Sequence, residues 1–270
     1  MAEMDDIRDD IFRRVAGKRV TAAIIADAGG LVAETGIAER VCGQLGLRID
    51  RLLTEGSRVR PGTEIIRFSG FPKQVALAEE QLIGVLAKPS GIATAARRFV
   101  EKAGRRPEIV CGAWKKMPGA LKEIIRRAIS TGGAGDRISL KPFLYLDKNY
   151  VRMLGGIRQT LEAVAVLNGY LKVIQIKGSY QDIALEAEQA ALNGVDVIFI
   201  DTGRPEDVAG VTGRLNRLGL RNAVQIAFGG NIHIEDVAAL KSLDLDILDV
   251  GRQIVDAPLL DMRLEVIETA

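Results

Sequence analysis

From about residue 106 onward the chain alternates short apolar runs with amphipathic helical stretches, and this rhythm constrains the fold more than any other feature. The runs are Ile109–Gly112, Phe143–Asp147, Val173–Lys177, Val197–Asp201, Val224–Ala227 and Ile247–Val250. The stretches between them carry helical periodicity over Gly119–Ser130, Tyr150–Leu167, Tyr180–Asn193, Pro205–Leu218 and Ile234–Leu240. Runs of four or five residues that are apolar throughout suit strands covered on both faces, and strands that recur with a helix between them must run parallel. The expectation is an α/β fold of about six such units, a parallel barrel or an open sheet, short of the eight that complete a barrel.

The first 105 residues read differently. Residues 4–16 have helical spacing through Met4, Ile7, Ile11 and Val15. Val20–Ile25 and Leu31–Glu34 read as a strand pair about Ala28-Gly29-Gly30. A helix is expected over Ile37–Leu45, strands over Arg48–Leu53 and Thr63–Ser69, and an amphipathic helix over Phe71–Leu86. The expected organisation is an α+β region over 1–105 and the α/β repeats over 106–270, with the final residues free to pack back on the first region. Between them lies Lys88-Pro89-Ser90-Gly91-Ile92-Ala93-Thr94-Ala95-Ala96-Arg97-Arg98. A proline and a capping serine ahead of an apolar run predict a fresh helix N-terminus. With basic residues beside it, that terminus would be a place for an anion.

Composition excludes several function classes. Apolar residues make up 47% and charged residues 27%, enough to build a substantial core. A net charge of +2 with scattered lysines and arginines provides no stripe for nucleic acid. No apolar run approaches the length of a membrane span and the acidic start lacks a signal-type core, so a cytoplasmic protein without a membrane partner is expected. Cys42 and Cys111 lie far apart and in no metal-like spacing. The single histidine, His233, rules out a two-histidine metal site and reads as a polar residue near a helix start.

In parallel α/β folds ligands gather at the strand C-termini. Here those ends carry Trp114-Lys115-Lys116, Asp147-Lys148-Asn149, Lys177, Asp201-Thr202-Gly203, Phe228-Gly229-Gly230-Asn231 and Asp249-Val250-Gly251-Arg252. Gly229, Gly230 and Gly251 suggest backbone amides cradling a phosphate, or simply tight turns. Asp201 suits a hydroxyl, a metal or a cation, or caps the helix opened by Pro205. Trp114, the only tryptophan, is either a wall for a planar ligand or packing.

The segments Ser90-Gly91-Ile92-Ala93-Thr94, Pro118-Gly119, Thr131-Gly132-Gly133, Asp147-Lys148-Asn149-Tyr150, Gly229-Gly230 and Gly251 fall in the order and spacing of another group of proteins. Over nearly its whole length the chain resembles the quinolinate phosphoribosyltransferases, also called carboxylating nicotinate-nucleotide pyrophosphorylases. The resemblance implies an α/β fold with an N-terminal α+β sandwich over 1–105 followed by an incomplete parallel α/β barrel of six or seven strands over 106–270, a homodimer in which one subunit helps close its partner's site, and magnesium as cofactor. It implies phosphoribosyl transfer from phosphoribosyl pyrophosphate (PRPP) to the nitrogen of a pyridine dicarboxylate, with loss of carbon dioxide and pyrophosphate.

Carried over residue by residue, the resemblance implies catalytic roles for Lys115, Asp201 and Lys148, with Asp201 also the metal residue. Lys88, Trp114, Arg137 and Lys177 fall at substrate-binding positions, and Gly229, Gly230, Gly251 and Arg252 at phosphate-binding ones. The family's pattern is altered at several of these. Its carboxylate-binding arginines are here Lys88 and Trp114, its histidine before Arg137 is Asp136, and its Lys-Asp-Asn-His is Asp147-Lys148-Asn149-Tyr150. Its Glu-Val-Glu strand end is Gln175-Ile176-Lys177. A dicarboxylate is best held by planar, bidentate arginines, for which lysine is no equivalent. The expectation is therefore a phosphoribosyltransferase whose acceptor is not quinolinate. The alternative is a catalytically inactive paralogue that binds a nucleotide or another phosphate ligand.

Overall fold

The computed structural model describes residues 6–270. Met4 of the expected N-terminal helix lies outside the described residues. The helix seen there is Ile7–Phe12, capped by Asp6, whose side chain accepts from the Arg8 N–H. The strands are β1 (Val20–Ala26), β2 (Gly30–Leu31), β3 (Arg48–Leu52), β4 (Arg58–Val59), β5 (Glu64–Gly70), β6 (Glu108–Val110), β7 (Phe143–Leu146), β8 (Leu171–Ile176), β9 (Val197–Asp201), β10 (Gln225–Gly229), β11 (Ile247–Asp249) and β12 (Met262–Thr269).

Two compact units emerge. The first comprises the chain up to Ala95, Ala120–Gly132 and Asp256–Ala270; the second comprises Ala96–Gly119 and Gly133–Val255. The division falls ten residues before the expected break at 105/106. The helix Gly119–Thr131, expected within the barrel, gives most of its length to the first unit.

The first unit is built on an antiparallel sheet of order β12-β1-β5-β3, with β2 and β4 as a separate pair. The expected hairpin of Val20–Ile25 with Leu31–Glu34 does not form. β1 is buried along almost its whole length and takes β5 on one edge and β12 on the other. The Leu31–Ala33 backbone is satisfied elsewhere: the Leu31 N–H donates to Thr94 Oγ1 and the Ala33 N–H to Ser90 Oγ, both at 2.9 Å.

Those two hydroxyls belong to a single helix, Pro72–Ala103, with Pro89 inside it. The expected helix start at Ser90 is therefore absent, and so is the anion site at a fresh N-terminus. Pro89 cannot donate to the carbonyl one turn earlier, a real cost. The helix nevertheless continues, because Ile92, Ala93 and Ala96 are fully buried beyond it. Gly91 is required by packing: a Cβ there would lie 1.9 Å from the Pro258 carbonyl oxygen.

The second unit is a six-stranded parallel sheet of order β6-β11-β10-β9-β8-β7. The edge strands β6 and β7 are not paired with each other among the described residues, so the barrel is not closed. The strand count matches the six units read from the sequence. The helix expected over Tyr150–Leu167 is instead two, Lys148–Leu154 and Ile157–Val164. They are separated by Gly155 and Gly156 at φ 89° and 133°, outside the range a helix allows.

Residues alternate across this sheet. Ile174, Ile198, Ile200, Ile226, Phe228 and Leu248 lie on one face and are completely buried. The other face places Val110, Val173, Val197, Phe199, Ala227 and Ile247 in one cluster, with Ile138, Phe143 and Tyr145 against it. No described helix is long and apolar enough to cross a membrane.

Candidate functional site

The strand register explains which side chains meet at the carboxyl edge. Gly229 is level with Asp201 on one side and Asp249 on the other, and Asp249 is level with Val110. One step lower on the same face, Gln175 is level with Phe199 and Phe199 with Ala227. Above the apolar cluster opens a cavity of about 590 Å³. Its floor and sides are Val110, Ile138, Phe143, Tyr145 and Phe199. Around them stand Asp136, Asp147, Asp201 and Asp249, and five cations: Lys115, Lys116, Arg137, Lys148 and Arg252. A cavity of this size with an apolar floor and a few convergent polar groups has the character of a ligand site.

Glycine sculpts the cavity. A Cβ on Gly229 would come within 3.0 Å of the Phe199 ring and 3.3 Å of the Asp249 Cβ. Gly230, at φ 119°, lies against Gly203, whose N–H donates to the Gly229 carbonyl at 3.0 Å. Gly230 and Gly251 line the cavity, whereas Gly229 packs beneath it. Asn231 follows in the left-handed region at φ 55° and also lines the cavity. The His233 ring lies 3.2 Å from the Asn231 amide and 3.0 Å from that of Gln253, a polar network beside the turn.

The charged groups are tied down in specific ways. Asp201 forms an ion pair with Lys177 at 2.9 Å, and Lys177 Nζ also donates to the Asp201 carbonyl at 2.7 Å. Gln175 donates to the same carboxylate oxygen, Oδ2. Lys115 Nζ stands 4.9 Å from the centre of the Tyr145 ring, within reach of a cation–π contact. Trp114 is held by its indole N–H, which donates to the Asp136 carbonyl at 2.6 Å. Asp147 caps the helix Lys148–Leu154 by accepting from the Asn149 and Tyr150 N–H groups. Asp249 accepts from the Gly112 N–H at 3.1 Å. Burial pushes its carboxyl above the ordinary value, against the opposing pull of that hydrogen bond and of Lys115 and Lys116. Burial, with Asp201, Asp249 and Asp147 adding to it, also raises the Tyr145 phenol.

Of the residues singled out from sequence, Lys115, Lys148, Asp201, Trp114, Arg137, Gly230, Gly251 and Arg252 line the cavity. Lys177 does not line it and acts as the partner of Asp201. Lys88 belongs to the first unit, where its Nζ donates to the Ala257 carbonyl at 2.6 Å. The sequence reading passed over Tyr145, and named Gln175 and Asp249 at strand ends without giving either a role in the site. Strand alternation was the signal: Tyr145 follows Phe143, Gln175 follows Val173 and Asp249 follows Ile247 on the same face.

The residues do not fit a magnesium site of their own. Among the described residues no three carboxylate, cysteine or histidine side chains converge on one point. Asp201 already spends one oxygen on Lys177 and Gln175.

A parallel α/β sheet with a cation-rimmed, glycine-edged cavity at its carboxyl ends belongs to a class of folds that gather small-molecule ligands at that edge. Comparison with known proteins narrows the class. The C-terminal domain of quinolinate phosphoribosyl transferase matches residues 92–265, and its N-terminal domain matches residues 9–90. The chain belongs to the quinolinate phosphoribosyl transferase family. It is 31% identical over 255 residues to a probable carboxylating nicotinate-nucleotide pyrophosphorylase of Archaeoglobus fulgidus, covering 93% of this chain and 96% of that one. It is 26% identical over 248 residues to the human carboxylating nicotinate-nucleotide pyrophosphorylase, covering 91% and 82%. The crystal structure of the nicotinate-nucleotide pyrophosphorylase of Ehrlichia chaffeensis shares the fold, with a TM-score of 0.85 at 16% identity over 98% of this chain and 94% of that one.

Proposed function

We propose that the protein transfers a phosphoribosyl group from PRPP to the nitrogen of a heterocycle other than quinolinate. The observation that carries this is the composition of the cavity: cations and glycine turns on its rim, aromatic and apolar side chains below. Family membership supplies the donor. The backbone at Gly230, Asn231 and Gly251, with Arg252, suits the 5′-phosphate, and Lys115, Arg137 and Lys148 suit the departing pyrophosphate. The free carboxylate oxygen of Asp201, the one not bonded by Gln175 and Lys177, suits the ribose hydroxyls.

Transfer requires charge stabilisation at an electron-poor ribosyl carbon and a nucleophilic nitrogen held in line with the leaving group. As pyrophosphate departs, its added charge falls among the lysines. Asp201 faces the positive charge that develops on the sugar. Any magnesium is expected to arrive on the diphosphate, keeping most of its ligands as water and phosphate oxygens. The resemblance further leads us to propose a homodimer, which sedimentation would test.

The acceptor reading rests on charge. Trp114 stands where the family has an arginine, and four aspartates share the cavity with five cations. A dicarboxylate would meet those aspartates with Trp114 in place of one family arginine, leaving Arg137 and Arg252 as the arginines that line the cavity. The test is pyrophosphate release from PRPP with magnesium across a panel of pyridines, azoles and benzimidazoles. Release with one of them, reduced about 100-fold or more in Asp201→Ala, is the expected result; removing one such electrostatic contact typically costs that much. Silence across the panel, with a nucleotide raising the melting temperature, would replace the transferase with a binding protein.

A further inference from the structure

We propose that Asp249 selects the acceptor, and that the class it selects is a neutral heterocycle carrying a ring N–H. This rests on the transferase reading above and deepens it.

Asp249 ends β11 on the cavity face, level with Gly229. Because Gly229 has no side chain, the Asp249 Cβ and the Phe199 ring both approach that point. One carboxylate oxygen, Oδ1, takes the Gly112 N–H; the other, Oδ2, has no hydrogen-bond partner among the described residues. Of the lining side chains, Val110, Ala113 and Phe199 have no donor, and no bond from the Tyr145 hydroxyl to this oxygen forms among the described residues. A carboxylate oxygen left open among apolar walls discriminates by charge and by hydrogen-bond role. It repels a carboxylate on a ligand, and it rewards a ring that presents a donor. Lys115 and Lys116 draw charge toward the same region, and Asp201 repels it. Lys115 is engaged over the Tyr145 ring, and the Asp249 oxygen is a carboxylate acceptor left open to the cavity beside it.

The step balances without any further reactant. The lone pair of the unprotonated ring nitrogen forms the bond to the ribosyl C1, and the C1–oxygen bond breaks with its electron pair leaving on pyrophosphate. The proton on the second ring nitrogen passes to Asp249 Oδ2 and then to solvent. The raised carboxyl pKa suits a group that must take that proton.

Trp114 is the protein's single tryptophan and lines the cavity, so its fluorescence reports ring binding without turnover. The probes are benzimidazole, 1-methylbenzimidazole, which lacks the N–H, and quinolinate. Benzimidazole is expected to bind about 10-fold or more tighter than its methylated analogue, the scale of a hydrogen bond to a charged group. Asp249→Asn is expected to shrink that preference and Asp249→Ala to abolish it, both variants melting cooperatively. Equal affinity for the two benzimidazoles, an unchanged preference in the variants, quinolinate binding as tight as benzimidazole, or no binding of any of the three would overturn the assignment. Pyrophosphate release separates the two readings. Asp249-dependent binding without release would sustain the recognition and sink the transferase. Release with another acceptor, insensitive to Asp249, would do the reverse.

Discussion

Asp249 carries a cost as well as a role. Its folded-state carboxyl titrates above the unfolded value of 3.8, so folding favours the protonated form. That favourable contribution is complete below pH 3.8 and is lost as the pH rises through the folded value; at neutral pH the ionised, buried group opposes folding. Asparagine keeps an oxygen for the Gly112 N–H and removes the charge. Asp249→Asn is therefore expected to melt higher than the parent at pH 7, by about 2–4 °C for each 1 kcal/mol recovered, with the gain vanishing near pH 3.8. Calorimetry across that range checks it, and a lower melting temperature at pH 7 would contradict it. Burial acts in the same direction on the two cysteines. Cys42 is pushed up to about 11 and Cys111 to about 12, in both cases chiefly by desolvation. Neither forms appreciable thiolate at pH 8, so a thiol reagent should label the unfolded chain and spare the folded one.

The long helix Pro72–Ala103 shows how a motif can be conspicuous for packing rather than chemistry. Ser90 and Thr94 accept the backbone N–H groups of Ala33 and Leu31, and Gly91 leaves room for the Pro258 carbonyl. Ser90 is fully buried, so Ser90→Ala leaves a buried N–H unpaired and should cost about 1–3 kcal/mol in urea unfolding. Gly91→Ala drives a methyl into backbone and should cost more, about 3 kcal/mol or above; a cost under 1 kcal/mol for either would contradict this packing. Proline followed by serine resembles a helix start from sequence alone. What overrode it was tertiary: apolar residues on both sides of Pro89 that could be buried only if the helix ran on. The same override separated β1 from β2, since no local pattern reveals that β12, more than two hundred residues away, would take β1's edge. Asp201 was legible because it directly follows a buried apolar run, Val197–Ile200. Asp249 was less so, because its strand is three residues long and alternation has little room to show.

At the scale of the molecule, the six parallel strands were legible because each is a short, wholly apolar run between helices, and that pattern survives without knowledge of partners. The division into units was legible only in part: the return of the final residues, Asp256–Ala270, was anticipated, whereas that of Ala120–Gly132 was not. Deleting residues 262–270 would strip β1 of an entire neighbour and expose its edge. The truncated chain is expected to aggregate or lose its cooperative transition; melting like that of the intact chain would contradict that account. The central claim is that the phosphate-binding rim keeps the family's character while the acceptor end has changed. The most direct measurement is carbon dioxide release from carboxyl-labelled quinolinate in the presence of PRPP and magnesium, beside pyrophosphate release with benzimidazole. The account predicts pyrophosphate with benzimidazole and no carbon dioxide above background from quinolinate. Sustained, PRPP-dependent release of carbon dioxide would contradict it.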